Sequence, residues 1–395
     1  MTSAASTPGA NGAAFPRALW ALMMGNFVIG AGVMVVPGTL NDISQSLQVS
    51  IPQAGQLITA AAILMGVGAP VFAGLVAGWD RRRLLALSLL WYAVLTLACA
   101  LAPNYATLLP LRVLAVVAPA IFTPQAAASV GLLVGEAQRG RAITFVFLGW
   151  SVASVMGMPM SSWIGGTLGW RWAFGLIALM SALCSWWVWR EMPAGIRPAL
   201  LSRKDWQQTL GSAELMPVVG VTLLMSFGQF VLFAYFAPYM QQSLGVGAVG
   251  LSLLFLWFGL FGLAGNVGLT RRIDRLGAAN AVMLALAAIT LSLLLWPLGT
   301  AGPWQQALVM VPWALGCFAV NSAQQARLVQ LAPLLAPATV ALNTSAMYGG
   351  QALGAALGGG LIAQGLMARL HWVGLVVMLG AMALSGWVVR RQKRS

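Results

Sequence analysis

Long apolar runs joined by short polar connections constrain the fold of this 395-residue chain more than any other feature. Sixty per cent of its residues are hydrophobic and 7% are charged, which is too few charges to cover a soluble protein of this length. A helix needs about 20 apolar residues to cross the ~30 Å hydrocarbon layer of a membrane. The sequence therefore predicts an all-α membrane protein with twelve transmembrane helices. We place the spans, numbered 1 to 12, near residues 18–40, 54–79, 84–102, 106–134, 143–165, 170–189, 215–240, 247–270, 278–299, 304–331, 338–365 and 370–389.

The basic residues lie on alternate connections between these spans. In the stretch AGWDRRR, residues 77–83, four charged side chains stand in a row between two apolar runs. If the N-terminus is cytoplasmic, all 21 lysines and arginines except Arg112, Arg171 and Arg369 fall on the cytoplasmic side, as the positive-inside rule requires. We therefore expect both termini in the cytoplasm. The net charge of +14 is spread over short loops rather than gathered on one face, so nucleic acid is not a predicted partner.

Two stretches recur about half a chain apart, which predicts two six-helix halves. The hairpin AGWDRRR is echoed by GLTRRIDRLG, and FTPQAAASVGLLV in span 4 is echoed by FAVNSAQQARLVQL in span 10. Internal repeats of this kind are typical of membrane transporters. The predicted organisation is a disordered cytoplasmic tail at 1–17, an N-terminal bundle at 18–190, a cytoplasmic linker at 191–214, a C-terminal bundle at 215–389 and a basic cytoplasmic tail at 390–395.

Residue types that support enzymatic or metal chemistry are scarce. The three cysteines, Cys99, Cys184 and Cys317, lie in separate apolar runs, and the single histidine, His371, has no neighbour of ligand type. No metal or cofactor is therefore expected. An integral-membrane enzyme would need paired carboxylates or a nucleophile with a base, but the seven acids all lie at span ends or in loops. That alternative is disfavoured.

Several motifs, taken in their order along the chain, resemble the major facilitator superfamily, in particular its bacterial drug- and sugar-efflux branch of arabinose-efflux-permease-like proteins. They are AGWDRRRLL, LRVLAVVAP, EAQRGRA, GMPMSSWIGGTLGWRWAF, FAYFAPYMQQSLG and ALNTSAMYGGQALGAALGG. The resemblance implies two pseudo-symmetric six-helix bundles in the bacterial cytoplasmic membrane, acting as a monomeric secondary transporter by alternating access. It favours efflux of a small neutral or amphipathic solute by proton antiport. Uptake or uncoupled diffusion of a small neutral solute remains an alternative.

The resemblance also suggests residues for coupling and gating. The 77–83 hairpin is similar to the family's signature loop, although its acid stands two places late; the loop could instead serve only as a membrane anchor. Arg112 matches a family arginine linked to proton coupling, and an unpaired arginine in the membrane costs ~2.5–3.5 kcal/mol. We expect it to face the bundle interior, although an arginine that only snorkels outward remains an alternative. The candidates are Arg112, Asp80, Arg82, Arg83, Gly157, Pro159 and Asp274.

Glycine-rich stretches mark the helices that should pack closely. Span 5 resembles the family's antiporter motif loosely, since Met158 separates Gly157 from Pro159. The family pairs span 5 with span 8 and span 2 with span 11, and spans 8 and 11 are also rich in glycine. Smooth contacts suit halves that rock over each other, but close packing without motion would give the same composition.

The predicted substrate cavity is polar but uncharged. Val33 stands where many related drug exporters carry an acid, so no titratable group is evident at mid-membrane. Amides and phenols buried between helices suit neutral solutes, although each could instead hold two helices together. The candidates, concentrated in spans 1, 7, 10 and 11, are Asn26, Gln229, Tyr235, Trp257, Asn321, Gln324, Asn343, Tyr348 and Gln351.

Overall fold

The computed structural model describes residues 16–76, 78–135, 138–197 and 203–392, and within these ranges it contains helices and no strands. Eleven of the described helical segments are long and apolar enough to cross a membrane. Large apolar side chains such as Val67, Leu308 and Val376 are 66%, 67% and 68% exposed. Lipid is the solvent that such a surface requires. The predicted all-α membrane fold is confirmed.

The described residues of the first half form seven helices. Ser50 and Asn104 begin two of them as N-caps, accepting hydrogen bonds from the backbone N–H groups of Gln53 and Thr107. Gly169, with φ of +101°, forms the sharp turn between the last two. The helices are α1 (Arg17–Ser46), α2 (Ile51–Leu75), α3 (Arg81–Ala100), α4 (Tyr105–Ala115), α5 (Val117–Leu133), α6 (Arg139–Leu168) and α7 (Trp170–Glu191).

The described residues of the second half form nine α-helices and three short 3₁₀ helices, Trp296–Ala301, Pro333–Leu335 and Met367–Arg369. One of them, at the position of predicted span 11, is 28 residues long, but glycines and polar side chains make it less apolar than the eleven membrane-crossing segments. The helices are α8 (Arg203–Leu210), α9 (Leu215–Phe233), α10 (Phe236–Leu244), α11 (Ala248–Thr270), α12 (Ile273–Leu276), α13 (Ala278–Leu295), α14 (Pro303–Leu331), α15 (Ala336–Ala363) and α16 (Leu370–Gln392).

Parts of the predicted domain plan lie outside the described residues. These are residues 1–15 of the N-terminal tail, residues 77, 136 and 137 of the N-terminal bundle, residues 198–202 of the linker and residues 393–395 of the C-terminal tail. The described remainder of the linker contains α8.

Two predicted spans are each broken into two helices. Span 4 breaks at Val116 between α4 and α5, and span 7 breaks at Ala234 between α9 and α10. Pro119 and Pro238 explain both breaks. A proline ring clashes with the carbonyl group four residues earlier and lacks the N–H that would bond to it, and those carbonyl groups belong to Ala115 and Ala234.

The helices pack as two groups that meet along two seams. In the first group α1 packs against α6 and α7, and α3 packs against α5 and α7. In the second, α9 packs against α15 and α16, and α14 packs against α11 and α13. The groups meet where α2 contacts α15 and where α6 contacts α11. These seams join spans 2 and 11 and spans 5 and 8, as the family resemblance implied.

Glycines allow the backbones to approach closely at both seams. A methyl group added at Gly259 of α11 would lie 2.6 Å from the Cα of Val155 on α6. One added at Gly66 of α2 would lie 3.2 Å from the carbonyl oxygen of Ser345 on α15. In a membrane the hydrophobic effect does not drive helices together, because lipid tails are also apolar. Small residues at such crossings allow the close van der Waals packing that holds the helices together.

The contact of α11 with α14 should be sensitive to a single methyl group. At Gly265 a methyl group would overlap the Leu315 carbonyl oxygen, so we expect Gly265→Ala to destabilise the protein by about 1–3 kcal/mol. Gly360→Ala is the matched control, because no atom lies within 4 Å of its added methyl group. Thermal unfolding in detergent should show a lower midpoint for Gly265→Ala and an unchanged or higher one for Gly360→Ala. Equal midpoints would contradict this packing.

Candidate functional site

A small cavity lies where the two helix groups meet. It is lined by residues of α1, α2, α4, α9 and α15 and by Val116 at the α4–α5 break. Its volume is about 30 Å³. Arg112, Tyr348 and Gln351 are the polar side chains of its wall, so two of the nine predicted cavity residues and one predicted coupling residue come together here. The rest of the wall is apolar and includes Val33, Met34, Ile58, Met65, Val116 and Phe230.

Arg112 places a positive charge in this wall. It is 2% exposed, and its Nη2 donates to the carbonyl oxygens of Gly32 at 3.0 Å and Val33 at 3.4 Å. Its Nε and Nη1 are buried without a hydrogen-bond partner. The ring of Phe174 lies 6.0 Å from the guanidinium carbon, and the buried phenol of Tyr92 lies beside the arginine. Of the described residues that line the cavity, none is acidic. The cavity was expected to be uncharged, but Arg112 gives its wall a positive charge.

Three other predicted cavity residues form a hydrogen-bonded network between α9, α14 and α15. Gln324 donates to the Val218 carbonyl at 2.9 Å and to the Thr222 hydroxyl at 3.1 Å. Thr222 donates to Asn343 Oδ1 at 2.6 Å, and Asn343 donates to Asn321 Oδ1 at 3.4 Å. Gln324 and Asn343 are fully buried, so the network joins helices within the second group.

Asn26 and Gln229 also connect neighbouring helices. The amide of Asn26 donates to the Val146 carbonyl at 3.3 Å and accepts from Thr123 at 2.9 Å, which joins α1 to α5 and α6. Gln229 accepts from the Trp313 indole at 3.0 Å, which joins α9 to α14. Neither side chain is among the residues that line the cavity.

Tyr235 and Trp257 lie away from the cavity as well. Trp257 donates to the Ala307 carbonyl at 3.0 Å, between α11 and α14. Tyr235 stands at the α9–α10 break, is 1% exposed, and donates to the Ala355 carbonyl at 2.7 Å. A methyl group added at Gly55 of α2 would overlap the Tyr235 hydroxyl, so this tyrosine presses against the opposite helix group.

The helix groups are in contact at the end that carries the α1–α2 and α6–α7 connections. The contact of Gly55 with Tyr235 lies there. At the same end a methyl group on Gly166 of α6 would overlap the Ala248 side chain of α11. At the opposite end of α2, Val71 is 52% exposed and Leu75 is 69% exposed. We call the first end the closed end and the second the hairpin end, after the 77–83 hairpin.

Asp80 caps α3 and bonds to the segment that follows α7. Its carboxylate accepts from the backbone N–H groups of Arg83, at 3.1 Å, and Gly195. Partial burial raises the pKa of this carboxyl, but the two hydrogen bonds and the positive charges of Arg83 and Arg197 outweigh burial, so the pKa lies below its ordinary value. The acid therefore fastens the hairpin within the first helix group.

The arginines beside Asp80 reinforce this attachment. Arg82 donates from Nε to the Trp189 carbonyl at 2.6 Å, and its guanidinium carbon lies 4.8 Å from the centre of that indole ring. The backbone N–H of Arg81 donates to the Ile196 carbonyl at 3.0 Å. Arg83 is exposed. A cation over an aromatic ring and a charged donor on a helix end are both favourable.

The remaining gating candidates lie in α6 and α12. A methyl group on Gly157 would lie 3.0 Å from the Cα of Ala31 on α1, so this glycine serves a contact within the first helix group. Pro159 lies inside α6. Asp274 belongs to α12, but its side chain lies outside the described part of the structure.

The apolar walls that α1 and α2 contribute were not predicted from the sequence. Met34, Ile58 and Met65 line the cavity, yet they have the same residue types as the lipid-facing positions. In the sequence, Val33 is distinguished only because it stands where many related drug exporters carry an acid. The cavity places it beside Arg112, where its carbonyl accepts a hydrogen bond.

A bundle of membrane-crossing helices with a cavity between two helix groups is typical of membrane transport proteins. The family model described as Major Facilitator Superfamily matches residues 22–355, and this chain belongs to that superfamily. Its relatives are transporters, so the membrane-enzyme alternative is set aside.

Individual relatives and solved structures resemble the chain over most of its length. It is 30% identical to the chloramphenicol resistance protein of Streptomyces lividans over 346 residues, which are 85% of this chain and 87% of that one. It is 28% identical to the probable sugar efflux transporter of Mannheimia succiniciproducens over 375 residues, covering 92% and 91%. The crystal structure of a D-xylose–proton symporter matches 93% of this chain and 96% of its own, with a TM-score of 0.76 and 15% identity, which shows a shared fold.

The Asp80 cap should stabilise the hairpin in a pH-dependent way. At neutral pH, Asp80→Ala should destabilise the protein by about 1 kcal/mol, the typical contribution of an N-cap. Because the folded pKa is below the unfolded value of ~3.9, this stabilisation is complete above about pH 5 and is lost as the pH falls through the folded pKa. The difference in unfolding midpoint between wild type and Asp80→Ala should therefore shrink below about pH 4.

Asp80→Asn is the matched control, because asparagine retains a capping oxygen without the charge. Its midpoint at neutral pH should lie between those of the other two proteins. A difference between wild type and Asp80→Ala that grows on acidification would contradict this assignment.

Proposed function

We propose that this protein is a secondary transporter that exports a small neutral or amphipathic solute by alternating access and proton antiport. The cavity at the junction of the two helix groups carries this proposal. Its wall takes α1, α2 and α4 from one group and α9 and α15 from the other. A movement of one group against the other would therefore open the cavity to one side and close it to the other.

The contacts between the groups support this mechanism. At the closed end, Gly55 and Gly166 meet Tyr235 and Ala248 of the opposite group. This contact suits a state that is closed to the outside. The assignment of the hairpin end to the cytoplasm rests on its arginines.

The proposed topology completes the sequence prediction. We take α15 as the span that brings the total to twelve, since it packs along both α2 and α9. The two bundles are then residues 18–190 and 215–389, joined by a cytoplasmic linker at 191–214. The protein would lie in the bacterial inner membrane as a monomer, with lipid around it and both termini in the cytoplasm.

Export is favoured by the relatives. One is described as a chloramphenicol resistance protein and another as a probable sugar efflux transporter. A cationic solute is disfavoured, because the cavity wall carries Arg112 and its described residues include no carboxylate. Arg112 is also the charged group through which coupling could act. The missing carboxylate favours the second candidate, an uptake or uncoupled carrier, because proton coupling normally uses a group that titrates in the pathway.

Transport should depend on the smooth contact between α6 and α11. A panel of drugs, sugars and organic acids is first compared between a deletion strain and an overexpressing strain to find a transported solute. Inverted vesicles with an acidic interior should then accumulate that solute, and an uncoupler should abolish the accumulation. Gly259→Val should reduce it at least about tenfold, because the added carbons meet the Val155 backbone and block sliding. Gly360→Ala should transport like wild type.

Three outcomes would contradict parts of this proposal. Accumulation that persists with the uncoupler would exclude proton antiport. Uptake of the solute into intact cells, with no export, would favour the second candidate, an uptake or uncoupled carrier. Normal transport by a well-expressed Gly259→Val variant would exclude movement at this seam.

A further inference from the structure

The guanidinium of Arg112 is a buried positive charge with no acidic side chain among the described residues of the cavity wall. Two backbone carbonyls accept from Nη2, the Tyr92 phenol interacts with the guanidinium, and Nε and Nη1 make no hydrogen bond of normal geometry. Phe174 and Tyr92, which lie beside it, are neutral. A cation removed from water at this depth is costly unless it is paired. The site as it stands is therefore incomplete.

The nearest acid along α1 is too far away to complete it. Asp42 lies nine residues beyond Val33, which is about 14 Å along a helix axis. It also lies against α6, since a methyl group added at Gly165 would be 2.7 Å from its Oδ2. The residue that does lie next to Arg112 in the cavity wall is Val33, whose side chain carries no charge. The cavity wall around Arg112 therefore carries no carboxylate among its described residues.

We propose that the Arg112 end of the cavity binds an anionic group of the transported solute, most simply a carboxylate. This inference rests on the proposed transport function and names the class of its substrate. A guanidinium donates short, charge-assisted hydrogen bonds to a carboxylate. The substrate itself would supply the counter-ion that the protein lacks.

The other residues of the cavity wall indicate the chemistry of the rest of such a solute. Met34, Met65 and Phe230 offer apolar contact, while Tyr348 and Gln351 of α15 offer hydrogen bonds from the opposite helix group. The volume of about 30 Å³ is too small for a whole solute. Binding of the body therefore requires the two helix groups to move apart. A carboxylate held by α4 and a body held by α15 would link substrate binding to that movement.

The chain offers a matched control in Arg327. It is 3% exposed, donates to the Ser385 hydroxyl at 3.1 Å, and also has two buried nitrogens without a partner. It is not among the residues that line the cavity. Arg327→Gln thus removes the same charge from a comparable environment without changing the proposed site.

The test measures thermal unfolding of the protein in nanodiscs of zwitterionic phosphatidylcholine, which excludes anionic lipid headgroups as ligands. The probes are acetate and benzoate, each compared with its neutral isostere, acetamide or benzamide, at equal concentration. In wild type and Arg327→Gln, each carboxylate should raise the unfolding midpoint by at least ~2 °C more than its amide. In Arg112→Gln this difference should vanish.

Val33→Glu provides a second variant that keeps Arg112. A glutamate at this position would occupy the anion site from within the chain, so the added carboxylates should lose their effect. This variant keeps the inference testable if Arg112→Gln does not fold. A carboxylate effect of wild-type size in either Arg112→Gln or Val33→Glu would overturn the inference, as would equal effects of carboxylates and amides in wild type.

The failure of this inference can be distinguished from failure of the proposed function. If the solute panel yields an exported neutral compound and the carboxylates have no effect through Arg112, the transporter stands and the anion site is wrong. If carboxylates stabilise through Arg112 but the protein moves no solute in the panel, the transport function is wrong and the anion site stands. Export of carboxylates that is lost in Arg112→Gln and kept in Arg327→Gln supports both.

Discussion

Every backbone N–H and C=O group in the hydrocarbon layer must find its partner within the protein, and the rest of this structure follows from that constraint. It accounts for the long helices and for the position of their breaks. The break at Val116 lines the cavity, and the break at Ala234 is fully buried beside α15. Both of these breaks thus lie inside the protein, and the one at Val116 lies in the cavity wall.

The low polarity of the hydrocarbon layer also explains where the charged side chains lie. The arginines of the hairpin end are held by Asp80, Trp189 and backbone carbonyls at the membrane boundary, where their cost is small. Arg112 also donates to backbone carbonyls, but no acidic side chain lies among the described residues of the cavity wall. This arginine lies beside Val33 in the cavity wall, so the only strong electrostatic feature of the described cavity favours negative charge. This feature is the basis of the proposed anion site.

The sequence was sufficient for the features that depend on the solvent. Apolar runs predicted the helices, and the family resemblance, together with the glycines of spans 5, 8 and 11, predicted the two seams. It was insufficient where the same residue types serve two purposes. Asn343 and Gln324 both form hydrogen bonds with Thr222 and so join helices. Tyr348 and Gln351 line the cavity instead. The sequence does not distinguish these two roles, because the residue types are similar. The bond from Gly195 to Asp80 joins residues too far apart in sequence for any local pattern to predict.

Alternating access is tested most directly by two distances between the helix groups. In a variant without the native cysteines, one spin-label pair on Gly78→Cys and Arg275→Cys reports the hairpin end, and another on Pro103→Cys and Gln305→Cys reports the closed end. Pulsed electron paramagnetic resonance should show that substrate and a change of pH shift the two distances in opposite directions. Two distances that stay constant, or that lengthen and shorten together, would contradict the account.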